Sequence, residues 1–325
     1  MDSAMWRRLV AVCAALGSFS TLSQAQEWPN RPVRIVLPVA TGAATDLVGR
    51  AVGDQFLANS KQPMILENRP AGGGSQAGDM VARSDPDGYT LFLATAGTVT
   101  ILPFLAKNLP YDPLKDFTPI TTVIELPIVL VVNKDLPVNN IAEFVAYAKA
   151  NPGKLSFGSS GQGSTHHLAG EYLKSHAGIQ MVHIPYRGGG PAMTDLLAGQ
   201  IPALFATLST VIPYLEGDRL KVLGNIEAKR SKSLPNVPTI GEQLPGYAVP
   251  SSWMGYAGPA NMPVSLVSKV NAELVKAINA PNVKAALEKA GFEVVTSTPD
   301  EHRAAIQNGL ERFRKITADA GIQPQ

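Results

Sequence analysis

The sequence has almost no cysteine. Its 325 residues contain one, Cys13, which lies inside a predicted targeting segment. The exported chain would therefore carry no disulfide and no thiolate metal site. An exported protein without disulfides depends on its hydrophobic core, and this chain is long enough to form two domains.

The sequence also lacks a strong excess of either charge. Lys and Arg number 28 against 26 Asp and Glu, a formal net charge of +2. These residues are scattered, with no basic block and no alternation of basic and aromatic residues. The charge pattern therefore argues against a nucleic-acid partner.

Motifs for metals and cofactors are missing as well. His166 and His167 are adjacent, so their rings diverge on a helix, unlike an i, i+4 pair. The segment Gly161–His166 has His where the third glycine of a dinucleotide-binding motif belongs, and no P-loop occurs. We therefore expect no metal and no cofactor. The remaining histidines are isolated, and we expect them at the surface or as helix caps: His176, His183 and His302.

Long apolar runs are absent except at the N-terminus. There, Arg7 and Arg8 precede the apolar run Leu9–Leu22, and Ser23-Gln24-Ala25 is a small-x-small cleavage site. The run is too short and too interrupted by small polar residues for a membrane span. We predict that residues 1–25 are a signal peptide, cut after Ala25, and that the protein is periplasmic.

Residues 33–57 predict a strand, a loop of small residues and the start of a helix. Val33–Leu37 is a short β-branched run, and the apolar residues from Leu47 to Phe56 have helical spacing. Asp46 stands where an N-cap is expected. Such a turn exposes backbone N–H groups and the positive end of a helix dipole, which suits an anion.

The rest of the chain alternates short strands with helices, which predicts an α/β fold with parallel sheets covered by helices. Two segments could carry the chain between domains: the β-rich run 118–133, interrupted at Pro127, and the strand Leu220–Asn225. We expect residues 26–123 and 227–325 to form one discontinuous domain and residues 124–226 to form the second.

Five loops rich in Gly, Ala, Ser and Thr follow predicted strands, and they would converge on one cleft if the domains face each other. In open parallel sheets, ligands bind beyond the carboxyl ends of the strands. Small uncharged residues suit a small polar ligand held by backbone N–H and hydroxyl groups. The candidate ligand-binding residues are Val39, Thr41, Gly42, Ala43, Ala44, Asp46, Ala96, Thr98, Ser160, Gly163, Ser164, Thr165, His166, Tyr186 and Thr207.

The segment Ser159–His166 is the richest polar stretch. One interpretation is a helix N-terminus that binds a carboxylate with the help of its hydroxyls and glycines; the other is a plain cap by Ser164. Two glycines and three further hydroxyls exceed what a cap needs. A hydrolase using Ser160 or Ser164 with His166 is the alternative, although no nucleophile elbow is present.

Several longer motifs resemble one family, the periplasmic solute-binding receptors of tripartite tricarboxylate transporter systems, often called Bug proteins. The resemblance covers nearly all of the mature chain. The motifs are R-P-V-R-I-V-L-P at 31–38, T-D at 45–46, E-N-R-P-A-G-G-G at 67–74, D-P-D-G-Y-T-L at 85–91, L-P-Y-D-P-L-K-D-F-T-P-I at 109–120, N-P-G-K-L-S-F-G-S-S-G-Q-G-S-T-H-H-L-A-G at 151–170, H-I-P-Y-R-G at 183–188, K-R-S-K-S-L-P-N-V-P-T at 229–239 and S-S-W-M-G at 251–255.

The resemblance implies a two-domain periplasmic-binding fold, type II-like, with its ligand cleft between the domains. It implies a receptor that binds a small organic acid (a di-, tri- or aromatic carboxylate), mainly by main-chain amides and water, and delivers it to membrane permease subunits. We expect the protein to be a monomer. The contact loops of the family match residues 39–46 and 159–166. A ligand-sensing role beside a membrane signalling protein is a further alternative.

Two departures from the family pattern bear on the ligand. The first loop reads Thr41-Gly42-Ala43 where the family commonly has Pro-Gly-Gly, and alanine adopts positive φ less freely than glycine. Many members carry Asp-Asn where this chain has Ala206-Thr207. Because an acidic group there could meet a ligand ammonium, we hypothesise a carboxylate ligand without an amino group.

Overall fold

The computed structural model describes residues 28–324, so the predicted signal peptide lies outside the described residues. Within that range, no helix is both long and apolar enough to span a bilayer. Two separate sheets organise the chain. We call the sheet that contains the first strand, with its helices, lobe one, and the other sheet, with its helices, lobe two.

Lobe one contains a six-stranded sheet. Its strands lie in the order β11 (Glu293–Val294), β4 (Phe117–Leu126), β10 (Ser252–Pro259), β3 (Thr90–Thr95), β1 (Val33–Leu37) and β2 (Met64–Asn68). Its helices include α1 (Ala44–Ser60), α2 (Ser75–Ala82), α9 (Val264–Ile278) and α10 (Pro281–Lys289). The bounds of the elements up to the first crossing are β1 Val33–Leu37, α1 Ala44–Ser60, β2 Met64–Asn68, α2 Ser75–Ala82, β3 Thr90–Thr95, α3 Leu102–Leu105 and β4 Phe117–Leu126.

Lobe two contains a five-stranded sheet in the order β7-β6-β8-β5-β9. Its elements are β5 Ile128–Asn133, α4 Ile141–Ala150, β6 Leu155–Ser159, α5 Thr165–Ala177, β7 Met181–Pro185, α6 Gly189–Leu197, β8 Ala203–Thr207, α7 Leu208–Val211 and β9 Leu220–Asn225. The chain then continues through α8 Ile240–Gln243, β10 Ser252–Pro259, α9 Val264–Ile278, α10 Pro281–Lys289, β11 Glu293–Val294 and α11 Pro299–Asp319.

The mixed α/β fold confirms the predicted fold class, but the expectation of parallel sheets is wrong for part of each sheet. β1 pairs in parallel with β2 and β3, and β6 with β7 and β8. In contrast, β10 is antiparallel to β3 and β4, and β5 is antiparallel to β8 and β9. β5 and β10 are the strands by which the chain enters a sheet from the other lobe, so no covering helix sets their direction.

Each lobe has its own apolar core. Phe56 is fully buried in lobe one, and Phe144 and Phe205 are buried in lobe two, as their positions in the sequence predicted. The long helix α11 is shared, because it packs on β4 while Phe313 and Ile316 enter the core of lobe two. The predicted domain bounds stay a prediction. The strand bounds place the first crossing at Pro127, between β4 and β5.

Two of the predicted histidine positions are wrong. His302 is fully buried, with its ring edge-on to Trp253 and Nδ1 3.1 Å from the Thr122 hydroxyl. His183 is partly buried and stacks on His167 with 4.0 Å between ring centroids. Isolation in the sequence gave no sign of either contact, because both are made with residues distant along the chain.

Candidate functional site

The loop after β1 is held by the side chains of its own lobe. Gly42 has φ +85°, which turns the chain into α1. The helix begins at Ala44, with Ala43 as a cap that makes no side-chain hydrogen bond. The prediction that Asp46 is the N-cap is therefore wrong: it is the third helical residue. Its carboxylate reaches back and accepts the Gly42 N–H at 3.0 Å.

Asp46 is almost completely buried and its carboxylate is fully engaged. Arg50 Nε donates to it at 2.9 Å, and Asn68 Nδ2 donates at 3.3 Å. The Arg50 guanidinium, and then the Gly42 N–H, lower the pKa of Asp46. The Asp46 carboxylate therefore stabilises the loop. The backbone N–H groups of Ala44 and Thr45, in the first turn of α1, have no acceptor in residues 28–324.

Asn68 organises the same loop and was not singled out from the sequence. It stands at the end of β2, where its Nδ2 also donates to the Val39 carbonyl at 3.0 Å. Its Oδ1 accepts from the Thr41 hydroxyl at 3.2 Å. The motif at residues 67–74 contains Asn68, so the motif was the available signal, although it did not specify this contact.

The loop after β3 lies against the first loop through Gly74. A Cβ at Gly74 would come within 2.5 Å of Pro38 Cβ and 2.8 Å of Thr98 Cγ2, so the Gly74 backbone packs directly against the side chains of Pro38 and Thr98. Thr98 and Ala96 are buried. The Thr98 hydroxyl donates to the Thr95 carbonyl at 3.0 Å, so this hydroxyl closes its own turn.

The loop after β6 has a different construction. Ser164 caps α5, accepting from the His167 N–H at 3.2 Å and donating to the Gly161 carbonyl at 2.7 Å. Ser164 is therefore the cap of α5, and this contact does not decide between the two interpretations of the segment. The cap leaves the N–H groups of Thr165 and His166 without an acceptor among the described residues.

The ring of His166 joins two hydroxyls of lobe two. Its Nδ1 lies 2.8 Å from the Ser160 hydroxyl and its Nε2 lies 3.1 Å from the Thr207 hydroxyl. Burial lowers the pKa of His166 to about 4, so the ring is neutral at neutral pH. Three of the candidate residues, from the loop after β6, from α5 and from the end of β8, are therefore in direct contact.

A second histidine supports this loop from behind. His167 is buried, and its Nδ1 accepts the Gly163 N–H at 3.2 Å. His183, which stacks on it, lies with Nε2 2.7 Å from the Ser159 hydroxyl. Burial lowers the pKa of both rings to about 4. These contacts fix the loop at both ends, and sequence reasoning missed His183 and Ser159 as parts of them.

Tyr186 lies beside the same loop, but its hydroxyl is already engaged. It donates to Asp195 Oδ2 on α6 at 2.7 Å. Burial, and then this hydrogen bond, raises the pKa of Tyr186 to about 12. The Tyr186 ring lies 3.3 Å from the position that a Cβ would take at Gly158, so the ring packs against β6.

The loops of the two lobes approach each other through α3. A Cβ at Gly163 would lie 2.8 Å from Leu105 Cδ1, and Ile101 packs within the core of lobe two. The segment after β3 thus contacts the loop before α5. Residues 39–46 and 159–166 share no hydrogen bond within residues 28–324, and the connection between them runs through Gly74, Thr98 and Leu105.

A cavity of about 920 Å³ lies elsewhere, where the chain crosses between the sheets. None of the candidate site residues lines it. Glu227 lies there almost fully buried, with Oε1 accepting the Ile128 N–H at 3.0 Å and Oε2 without a partner among the described residues. Burial is the main reason that the pKa of Glu227 rises to about 8.

Comparison with known proteins gives consistent matches over most of the chain. A family described as "Tripartite tricarboxylate transporter family receptor" matches residues 48–322. A UPF0065 protein from the gbd 5′ region of Cupriavidus necator is 37% identical over 316 residues, covering 97% of this chain and 95% of that protein. Protein BugT of Bordetella pertussis is 28% identical over 316 residues, covering 97% of each.

Solved structures show the same fold. The R. palustris protein Rpa4515, solved with adipate, has a TM-score of 0.78 and 30% identity, covering 92% of this chain and 100% of that one. MatC from Rhodopseudomonas palustris, solved with bound malate, has a TM-score of 0.73 and 29% identity, covering 89% of this chain and 99% of that one.

Proposed function

The chain belongs to the tripartite tricarboxylate transporter family of receptors, and we propose that it captures a small organic carboxylate between its two lobes and delivers it to membrane permease subunits. Two similar proteins support the ligand class, since they were solved with adipate and with malate. Receptors of this family are periplasmic. For this chain we propose export with cleavage after Ala25 and action as a monomer.

The observation that carries the proposal is the pair of open helix N-termini. α1 and α5 each begin at the carboxyl end of a strand, one in each lobe, and each leaves first-turn N–H groups without acceptors among the described residues. Aligned peptide dipoles make a helix N-terminus favourable for an anion. One carboxylate group held by each helix would bind the ligand across both lobes and favour a closed arrangement.

We propose binding without chemical conversion. Ser160 and His166 do form a hydrogen-bonded pair, the arrangement a hydrolase would use. However, the other ring nitrogen faces the Thr207 hydroxyl, whereas a serine–histidine catalyst needs a group that orients the base and stabilises its protonated form. A threonine hydroxyl cannot supply the negative charge.

The carboxylate of Asp46, the acid of the first loop, already accepts hydrogen bonds from Arg50 and Asn68. No free carboxylate is therefore available there for a ligand ammonium. The residue pair Ala206-Thr207 adds none. Both observations support a ligand without an amino group.

A thermal-shift screen of residues 26–325 against carboxylates tests the proposal. Binding at a hundredfold excess over Kd should stabilise the protein by roughly 2.7 kcal/mol, and the ligand should be recovered unchanged by mass spectrometry. Amines and sugars of similar size are the controls. No stabilisation by any di-, tri- or aromatic carboxylate, or recovery of an altered acid that depends on Ser160, would contradict it.

A further inference from the structure

His166 connects two hydroxyls that have no other hydrogen-bond partner among the described residues. The Ser160 and Thr207 side chains lie at 2.8 Å and 3.1 Å from opposite nitrogens of the ring. Each hydroxyl can both donate one hydrogen bond and accept others. Each hydroxyl can therefore form a further hydrogen bond after it has bonded to the ring. Whether it donates or accepts in that further bond depends on whether it accepts from the ring or donates to it.

The ring is neutral at neutral pH. Burial lowers the pKa of His166 to about 4, and among the described residues the histidine that lies within ion-pair distance of a carboxylate is its neighbour His167, beside Glu171. A neutral imidazole carries one N–H and one lone pair. It must therefore donate to one hydroxyl and accept from the other.

The two hydroxyls consequently offer opposite hydrogen-bonding roles to a ligand that reaches them. The hydroxyl that accepts from the ring keeps its hydrogen and can donate it to a ligand oxygen. The hydroxyl that donates to the ring keeps only lone pairs and can accept from a ligand. Either tautomer of His166 gives one donor and one acceptor, and no tautomer gives two donors.

We propose that His166 is a specificity-determining residue that selects acids carrying a hydroxyl group: one of the two side-chain hydroxyls donates to a ligand carboxylate, and the other accepts from the ligand hydroxyl. This inference rests on the proposed carboxylate-binding function of the same site. It extends that function, because bare carboxylates offer only acceptors and would leave one hydroxyl unmatched.

The side-chain hydroxyl that donates its hydrogen to the His166 ring can only accept from the ligand. This acceptor suits a ligand hydroxyl better than a ligand ammonium group. A buried ammonium requires a compensating charge. The acid of the loop after β1, Asp46, is already bonded to Arg50 and Asn68. A neutral hydroxyl asks for one acceptor only, which the ring-bonded hydroxyl supplies.

Calorimetry with matched acids tests the inference on the mature protein. The pairs are succinate with malate and glutarate with 2-hydroxyglutarate, and aspartate is the amine analogue. We expect a hydroxy acid to bind about twofold to tenfold more tightly than its plain counterpart, the factor that one net hydrogen bond supplies. Aspartate should bind more weakly than malate.

Variants separate the roles of the three side chains. His166→Phe keeps a ring of similar size but frees both hydroxyls to donate, so the preference should vanish while succinate still binds. Of Ser160→Ala and Thr207→Val, one should abolish the preference and the other should weaken both members of a pair equally. Ser175→Ala, on the same helix with its hydroxyl on the Tyr172 carbonyl, is the control and should change nothing.

The outcomes distinguish this inference from the proposed function. Carboxylates that bind with equal affinity whether or not they carry a hydroxyl would overturn the inference and leave the function standing. A preference that survives in a folded His166→Phe protein would also overturn it, as would tighter binding of aspartate than of malate. Failure of every carboxylate to bind would overturn both.

Discussion

The loops that precede α1 and α5 are both proposed to bind the ligand, but their polar side chains form different kinds of contact. In lobe one, the polar side chains are spent on the loop itself: Asp46, Arg50 and Asn68 bond to one another, and the cap residue Ala43 has no polar side chain. In lobe two, Ser164 caps the helix, while the hydroxyls of Ser160 and Thr207 stay available on either side of a ring.

The comparison separates two properties of the proposed site. Backbone N–H groups attract any carboxylate, because they recognise charge and little else. Side-chain hydroxyls whose polarity is set by a neutral histidine recognise the pattern of donors and acceptors on the ligand. We therefore expect substitutions in lobe one to change affinity for all acids together, and substitutions in lobe two to change the choice among them.

The largest expected effect comes from Gly74→Ala. A Cβ there would lie within 2.5 Å of Pro38 Cβ at a residue with φ +91°, so steric overlap and backbone strain add. We expect a loss of about 3 kcal/mol in unfolding free energy and weaker binding of every carboxylate. Urea unfolding and calorimetry measure the two effects.

Gly178→Ala is the matched control for that glycine, since it also has positive φ but would meet no atom within 4 Å. It should cost about 1 kcal/mol and leave affinity unchanged. If both alanines weaken binding to the same degree, the close approach at Gly74 does not position the lobe-one loop.

Asp46→Asn should cost about 2 kcal/mol at neutral pH, because it removes a buried charge-assisted hydrogen-bond network. The folded protein holds the pKa of Asp46 below its ordinary value, so this stabilisation is present above about pH 4 and is lost as the pH falls below it. Unfolding free energies measured between pH 2 and 7 should therefore show a steeper acid loss in the wild type than in the variant.

Asp79→Asn provides the comparison for Asp46, since Asp79 forms an i, i+4 ion pair with Arg83 that is much more exposed. It should cost no more than about 0.5 kcal/mol. Equal costs for the two variants would contradict the structural role given to Asp46.

Ser164→Ala should cost about 1 kcal/mol, since it removes the cap of α5. Binding of all carboxylates should change only modestly, because the preference among acids is assigned to Ser160, His166 and Thr207. A lost preference for hydroxy acids in this variant, measured by calorimetry with malate and succinate, would move the specificity to the cap.

The smallest effect is expected from Ala43→Ser, which places a capping side chain where lobe one has none. Ala43 already has the extended backbone of a cap, so serine should stabilise the fold by roughly 0.5 kcal/mol. Its hydroxyl would bond a first-turn N–H that is proposed for the ligand, so carboxylate affinity should fall while stability rises. A parallel rise in both would show that those amides are not used.

Local sequence signals predicted most elements of the fold. The β-branched run at Val33–Leu37, the helical spacing after Asp46 and the break at Pro127 all correspond to observed elements. These local signals did not predict the relative direction of neighbouring strands, since β5 and β10 run antiparallel to their neighbours. Loop composition identified the two segments that hold open helix N-termini, but misplaced the helix start at Asp46.

Sequence alone determined the two-lobed α/β class, the family and the small-residue loops, because strand, helix and turn preferences act over a few residues and leave a readable pattern. Only the tertiary structure decided the partners: Asn68 with Asp46, His183 with His167, and Thr207 with His166. Such contacts join residues far apart along the chain. A hydrogen bond between them depends on the packing of whole strands and helices, which no local pattern records.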